Sequence, residues 1–147
     1  MSVNAASAGI TINGKHSFRD FGAFMCSHST GTPEPFVVRE SVPFMEGFYD
    51  FSAISGTLAC TSRTAEYVFE LENDDEALLE VFKNGFIAWL LEAVNVDIYD
   101  DYDPGYHMRG SIAEAPEWSP VDPWCGQISV KFLCQPKRTG INGSKVY

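Results

Sequence analysis

The side chains that could do chemistry are a run of aspartates between residues 97 and 103, three histidines and four cysteines. Asp97, Asp100, Asp101 and Asp103 have the composition of a calcium loop. They lack the Asp-x-Asp-x-Asp-Gly order and the closing glutamate of an EF-hand, so a solvated acidic turn, finished by Pro104 and Gly105, is the better reading. His16, His28 and His107 are far apart and make no HxH or HxxxH pair, which argues against a metal site. His107 is expected on the solvent-facing or partner-facing side of its strand. Cys26, Cys60, Cys125 and Cys134 fit neither a zinc ribbon nor a redox CxxC, and free, buried thiols are expected. There is no GxSxG, no phosphate-binding glycine loop and no Cys–His signature. A general acid also needs a partner in a shared pocket, which spacing alone does not place. The chain therefore reads as no enzyme, with no cofactor and no metal.

Composition narrows the partners. At 147 residues one domain is expected, and aromatic residues are plentiful enough for a core without staples. The net charge is −10 with the cations scattered, which disfavours binding to a nucleic-acid backbone. No apolar run approaches the roughly 20 residues that span a bilayer, so no membrane partner is expected. Residues 1–9 are small and polar and do not make a signal peptide, which points to a chain made and kept in a cytoplasm.

The clearest element is a helix over residues 74–94. Asn73 is placed to cap it and Glu76 to close a capping box. At 100° per residue, Leu78, Leu79, Phe82, Phe86, Trp89, Leu90 and Ala93 share an arc of about 120°. Leu78, Phe82, Trp89 and Leu90 are therefore expected in the core. Glu80, Lys83 and Asn84 lie opposite, and Ile87 and Leu91 fall among the polar residues. Strand periods appear over residues 65–72, Tyr106–Ile112 and 126–135, with Cys134 in phase with Val130 and Phe132 as a core residue. Ile10–Ile12 is a short strand ended by the turn dipeptide Asn13-Gly14. Residues 27–35 and the proline-broken stretch 115–124 read as loops, and 139–147 as a polar tail. Layer rules then give an α+β fold, mainly β: an antiparallel sheet or sandwich with one packed helix.

Aromatic residues outside these periods are conspicuous. Phe36, Phe44, Phe48, Tyr49, Phe51, Trp118 and Trp124 lie on or beside loops. They are either satellites of the core or a protein interface, where aromatics are enriched. A carbohydrate platform using Trp118 and Trp124 is a further reading.

Several pieces in order resemble one family. The opening, Ile10-Thr11-Ile12-Asn13-Gly14-Lys15-His16-Ser17-Phe18-Arg19-Asp20-Phe21-Gly22, is similar to that of the distal tail proteins of long-tailed phages, especially those of Gram-positive hosts. Pro33-Glu34-Pro35, Val42-Pro43 with Gly47-Phe48-Tyr49-Asp50-Phe51-Ser52, and Arg63 with its strand to Leu71 follow. The helix with Trp89-Leu90 and the strand from Tyr106 with Arg109 complete the series. Phe44 stands where the family has a glycine after its Val-Pro. The resemblance covers most of residues 9–138 and divides the chain into an arm (1–8), a ring domain (9–138) and a tail (139–147). The second domain of many members is not seen in it. It implies a tail-tube-like fold and a hexameric ring of identical subunits between the tail tube protein and the tail tip or hub protein. Genomic DNA would pass through the channel without specific binding, and the protein would reside in the virion after assembly in the host cytoplasm. Phe44, Phe48, Tyr49, Phe51, Ile87 and Leu91 are the expected subunit interface. A tube subunit or other baseplate component, and less favourably a carbohydrate-binding adsorption module, are the alternatives.

Overall fold

The computed structural model describes residues 7–35, 39–40, 49–50 and 60–147, the two middle pairs by backbone only. Its longest strand, β7 (Cys60–Glu72), shows why the sheet forms. Ala65, Tyr67, Phe69 and Leu71 are buried, while the residues between them face outward, as a period of two requires. β7 pairs along its length with β11 (Cys125–Cys134), where Ile128, Val130, Phe132 and Cys134 are buried in the same way. These two strands form the spine of an eleven-stranded sheet.

On one side of β7 lies β3 (Phe24–Ser29), and on the far side of β11 lies β9 (Tyr106–Ile112), then β8 (Val96–Asp100), β1 (Ile10–Ile12) and β2 (Lys15–His16). β4 (Glu34–Pro35) pairs with β7, and β10 (Glu117–Asp122) with β11. β12 (Arg138–Gly140) pairs with β9 and with β13 (Lys145–Val146). β5 (Arg39–Glu40) and β6 (Tyr49–Asp50) form a separate two-stranded ladder. Every ladder among the described residues is antiparallel. The expected mainly-β, α+β class with an antiparallel sheet is what the chain adopts, with a short helix α1 (Ser17–Phe21) in addition to α2 (Glu76–Leu91).

α2 roofs the core and reaches both ends of the sheet. Phe86 meets Phe69 of β7 edge-on at 5.1 Å, and the Trp89 indole N–H donates to the Ile12 carbonyl of β1 at 3.2 Å. Phe21 of α1 meets Phe86 edge-on at 5.6 Å and Trp89 at a tilt at 4.9 Å. Leu79, Phe86, Trp89 and Leu90 are buried. Leu78 and Phe82 are not: they are 47% and 43% exposed, contrary to their place in the expected arc. Both lie in the first two turns of the helix, ahead of Phe86 and Trp89, which Phe21 covers. Ile87 packs on the rim of the core, and Lys83 lies with its ammonium over the Trp118 ring at 5.0 Å. The cap also differs. Asp75 accepts from the Ala77 amide at 2.9 Å and is the N-cap, while Asn73, two residues earlier, accepts from the Asp75 amide.

Three segments read as loops or tail are paired in part. Residues 117–122 form β10 despite Pro120, because an edge strand needs to donate to one neighbour only. Much of 27–35 is taken by β3 and β4. Residues 138–146 make a hairpin whose first strand joins β9. It is tied down by Arg63 and Arg138, which donate to the Tyr147 carbonyl at 2.8 and 3.3 Å.

Candidate interaction surface

The acidic stretch is not a solvated turn. β8 and the turn after it place each of its aspartates against a cation or histidine from another element. Asp97 accepts from Arg109 of β9 at 3.0 Å, with His107 Nε2 3.8 Å away. Asp101 accepts from the Gly9 amide and lies 2.7 Å from His16 Nε2. His16 Nδ1 accepts from the Phe18 and Arg19 amides, so its ring proton sits on Nε2 and is donated to Asp101. Asp103 is paired with Arg138. Asp100 is buried; Oδ1 accepts from the Tyr102 amide at 2.9 Å and Oδ2 lies 3.2 Å from His28 Nδ1. Burial raises the pKa of Asp100, and the Tyr102 amide and His28 oppose that rise. The buried Tyr67 hydroxyl is held far above the usual tyrosine range, first by burial and then by the charge of Asp100. All three histidines thus converge on one strand and its turn, which their spacing in sequence conceals.

This arrangement is a clamp. Pairs between residues 85 and 92 positions apart fix the amino-terminal strands and α1 to the middle of the sheet. The rings that carry these charges also form a surface. His28 stacks on Tyr102 at 4.6 Å, Tyr99 on His107 at 4.8 Å, and the Arg138 guanidinium lies over Tyr106 at 5.0 Å. Tyr99, Tyr106 and Ile141 are exposed around a shallow cleft at the β9–β12 edge, Ile141 at 91%. His107, expected toward solvent or a partner, lines that cleft. Sequence reading missed this patch because Ile141 sits in a stretch that is otherwise polar. Its one signal is an apolar residue between Gly140 and the turn residues Asn142-Gly143.

A second apolar surface lies where α1 meets the amino-terminal half of α2. Phe18, Phe21, Leu71, Leu79 and Phe82 line a groove whose rim carries Arg19, Asp20, Glu72 and Asn73. Leu78, Val81 and Leu91 are also exposed on α2. The groove exists because Leu78 and Phe82, in the first turns of α2, lie beyond the roof made by Phe21 over Phe86 and Trp89.

The expected interface residues are only partly visible. Leu91 is half exposed, Ile87 packs partly on the core, and both belong to α2. Phe44, Phe48 and Phe51 lie outside the described residues, and of Tyr49 only the backbone is described, opposite Glu40. The cysteines are free thiols as expected, but Cys26 is exposed and Cys60 partly so. Among the described residues no helix is long and apolar enough to cross a membrane.

No family model and no curated protein matches the chain. Among solved structures the chain is similar to the Dit protein of phage SPP1, described as a paradigm of the hub adsorption apparatus of phages that infect Gram-positive bacteria. The TM-score is 0.72 at 14% identity, over 90% of this chain and 52% of that one. The chain therefore spans about half the length of that protein, and the two share a fold.

Proposed function

We propose that this chain is a structural protein of a phage tail, of the distal tail type, and not a catalyst. The observation that carries this is the fold likeness to a hub protein across nearly the whole chain, in the same family that the ordered motifs from Ile10 to Ile112 resemble. In this reading identical subunits close into a hexameric ring between the tail tube protein and the tip or hub protein. A closed ring brings two different patches of each subunit together. The described surface offers two candidates, the tyrosine-rich cleft with Ile141 and the groove beside Phe82. The aromatic loop 42–52 is a third. The net charge of −10 favours a lumen through which DNA passes without adhering. The finished protein would reside at the tip of the tail.

The test is the mass of the native assembly. Purified chain, alone and mixed with its tube and hub partners, is measured by native mass spectrometry and imaged in negative stain. A closed ring of this chain supports the reading. A chain that stays monomeric with both partners present, and that is missing from assembled tails, contradicts it.

A further inference from the structure

The two apolar surfaces differ in shape and in charge. The hairpin of β12 and β13 carries a knob, Ile141, whose side chain is exposed while its backbone is fixed. The Ile141 amide donates to the Gly105 carbonyl at 2.9 Å. The turn closes with the Gly140 amide on the Ser144 carbonyl and the Gly143 amide on the Gly140 carbonyl, at 2.7 and 3.0 Å. An apolar side chain held out on a bonded turn has little freedom left to lose when it docks.

Positive charge flanks this knob. The net charge of −10 is spread unevenly: residues 123–147 hold Lys131, Lys137, Arg138 and Lys145 and no acidic residue. Arg138 is paired with Asp103. Among the described residues neither Lys137 nor Lys145 meets a carboxylate. Both are exposed, Lys145 held on Thr139 Oγ1 at 2.7 Å and Lys137 over the Tyr147 ring at 5.0 Å.

The groove between α1 and α2 has the reverse charge. Phe18, Phe21, Leu79 and Phe82 line it, together with the exposed Glu72. Asp74 lines the recess beside it, and Asp75 and Glu76 follow, all three exposed. Among the described residues none of these four acids is in an ion pair. Asp75 and Glu76 suit the amino terminus of α2, but Glu72 and Asp74 lie before it.

Knob and groove sit at opposite ends of the sheet. Cys134 stands opposite both Arg63 of β7 and Gly110 of β9. Gly140, next to the knob, pairs with Tyr106, which lies beyond that level and away from the groove. The groove is lined by Leu71, eight residues further along β7 than Arg63, or about 27 Å at roughly 3.4 Å per residue. The two therefore cannot meet within one chain. A knob at one end and a fitting groove at the other is the arrangement of a head-to-tail contact, which closes into a ring when the rotation is right.

We propose that the Ile141 turn of one copy docks in the α1–α2 groove of the next copy, with Ile141 against Phe18 and Phe82 and with Lys137 and Lys145 facing Glu72 and Asp74. This rests on the ring reading above and names its contact. A second copy is the occupant because one chain supplies both members of the complementary pair, apolar on apolar and basic on acidic.

The experiment uses the full chain with its tube and hub partners, carrying a photoreactive benzoyl-phenylalanine in place of Ile141. Irradiation is expected to join copy to copy, with the link mapped by peptide mass spectrometry to residues 18–22 or 71–82. Ile141→Asp is expected to keep the circular dichroism of the parent, since the position is exposed, and to weaken ring formation by roughly tenfold or more. Lys137→Glu with Lys145→Glu is expected to weaken it too, and Glu72→Lys with Asp74→Lys in the same chain to restore it. Rings formed at the parent's level by a folded Ile141→Asp chain overturn this docking and leave the ring reading standing. So does a link to the tube or hub protein or to another part of the neighbouring copy, or a charge reversal that the second pair of changes does not restore. A parent chain that forms no ring with both partners present overturns the docking and the ring reading together.

Discussion

Trp89 and Ile12, 77 residues apart, are joined by a buried hydrogen bond of 3.2 Å from the indole N–H to the backbone carbonyl. It ties α2 to the first strand of the sheet. The indole also packs at a tilt against Phe21 and Phe86, so it serves packing and polarity together. Trp89→Phe keeps most of the volume and strands the Ile12 carbonyl; a loss of about 1–3 kcal/mol is expected. Trp89→Ala adds the cavity and is expected to cost about 3–5 kcal/mol. Urea unfolding of both variants checks this. A loss below about 1 kcal/mol for the alanine variant would take Trp89 out of the core account.

Asp100 gives the fold a pH dependence of a definite sign. Its pKa in the fold lies above the ordinary value near 3.9, chiefly from burial. The folded chain therefore holds this proton longer than the unfolded chain does. Its contribution to stability is full below the unfolded pKa and is lost as pH rises through the folded one. Asp100→Asn keeps an acceptor for the Tyr102 amide and removes the titration. The stability of the variant relative to the parent is expected to rise between about pH 4 and neutrality. Unfolding curves taken across that range decide it, and a difference that is flat or falls with pH contradicts the assignment.

The thiols should separate by reactivity. Cys26 is exposed, whereas burial pushes the Cys134 thiol up to about 11. Alkylation of the native chain is expected to mark Cys26 first and Cys134 only on unfolding. Reduction should leave the intact mass unchanged. A gain of about two mass units per bridge, one hydrogen on each sulfur, would contradict the free-thiol state.

Leu91 is half exposed on α2, and the loop holding Phe48 and Tyr49 is aromatic and irregular in sequence. If these make subunit contacts, Leu91→Asp and the double change Phe48→Ser with Tyr49→Ser leave a folded monomer that forms no rings. Light scattering follows assembly and circular dichroism follows folding. Intact rings from the double variant would remove the loop from the interface.

What the sequence made legible follows from the range of each interaction. The inward faces of β7, β9 and β11 were readable because a period of two repeats along each strand. The helix was readable to within a few residues, but the exposure of its first turns was not. Leu78 and Phe82 are exposed because Phe21, more than fifty residues earlier in the chain, roofs only the later turns of α2. β10 was hidden by Pro120 and the flanking Pro116 and Pro123, and the hairpin at residues 138–146 by its polar composition. The pairing of His16, His28 and His107 with Asp101, Asp100 and Asp97 depends on the order of strands in the sheet. No local pattern encodes that order. The same is true of Cys26 and Cys125, which meet Glu70 from the strands on either side of β7.

The central claim is that this chain is a component of the distal end of a phage tail. It is tested most directly by labelling the chain with an antibody or a fused tag in assembled particles and viewing them in negative stain. The account predicts one focus of label at the tail tip, where tube meets hub. Label along the whole tube, on the head, or absent from purified particles would contradict it.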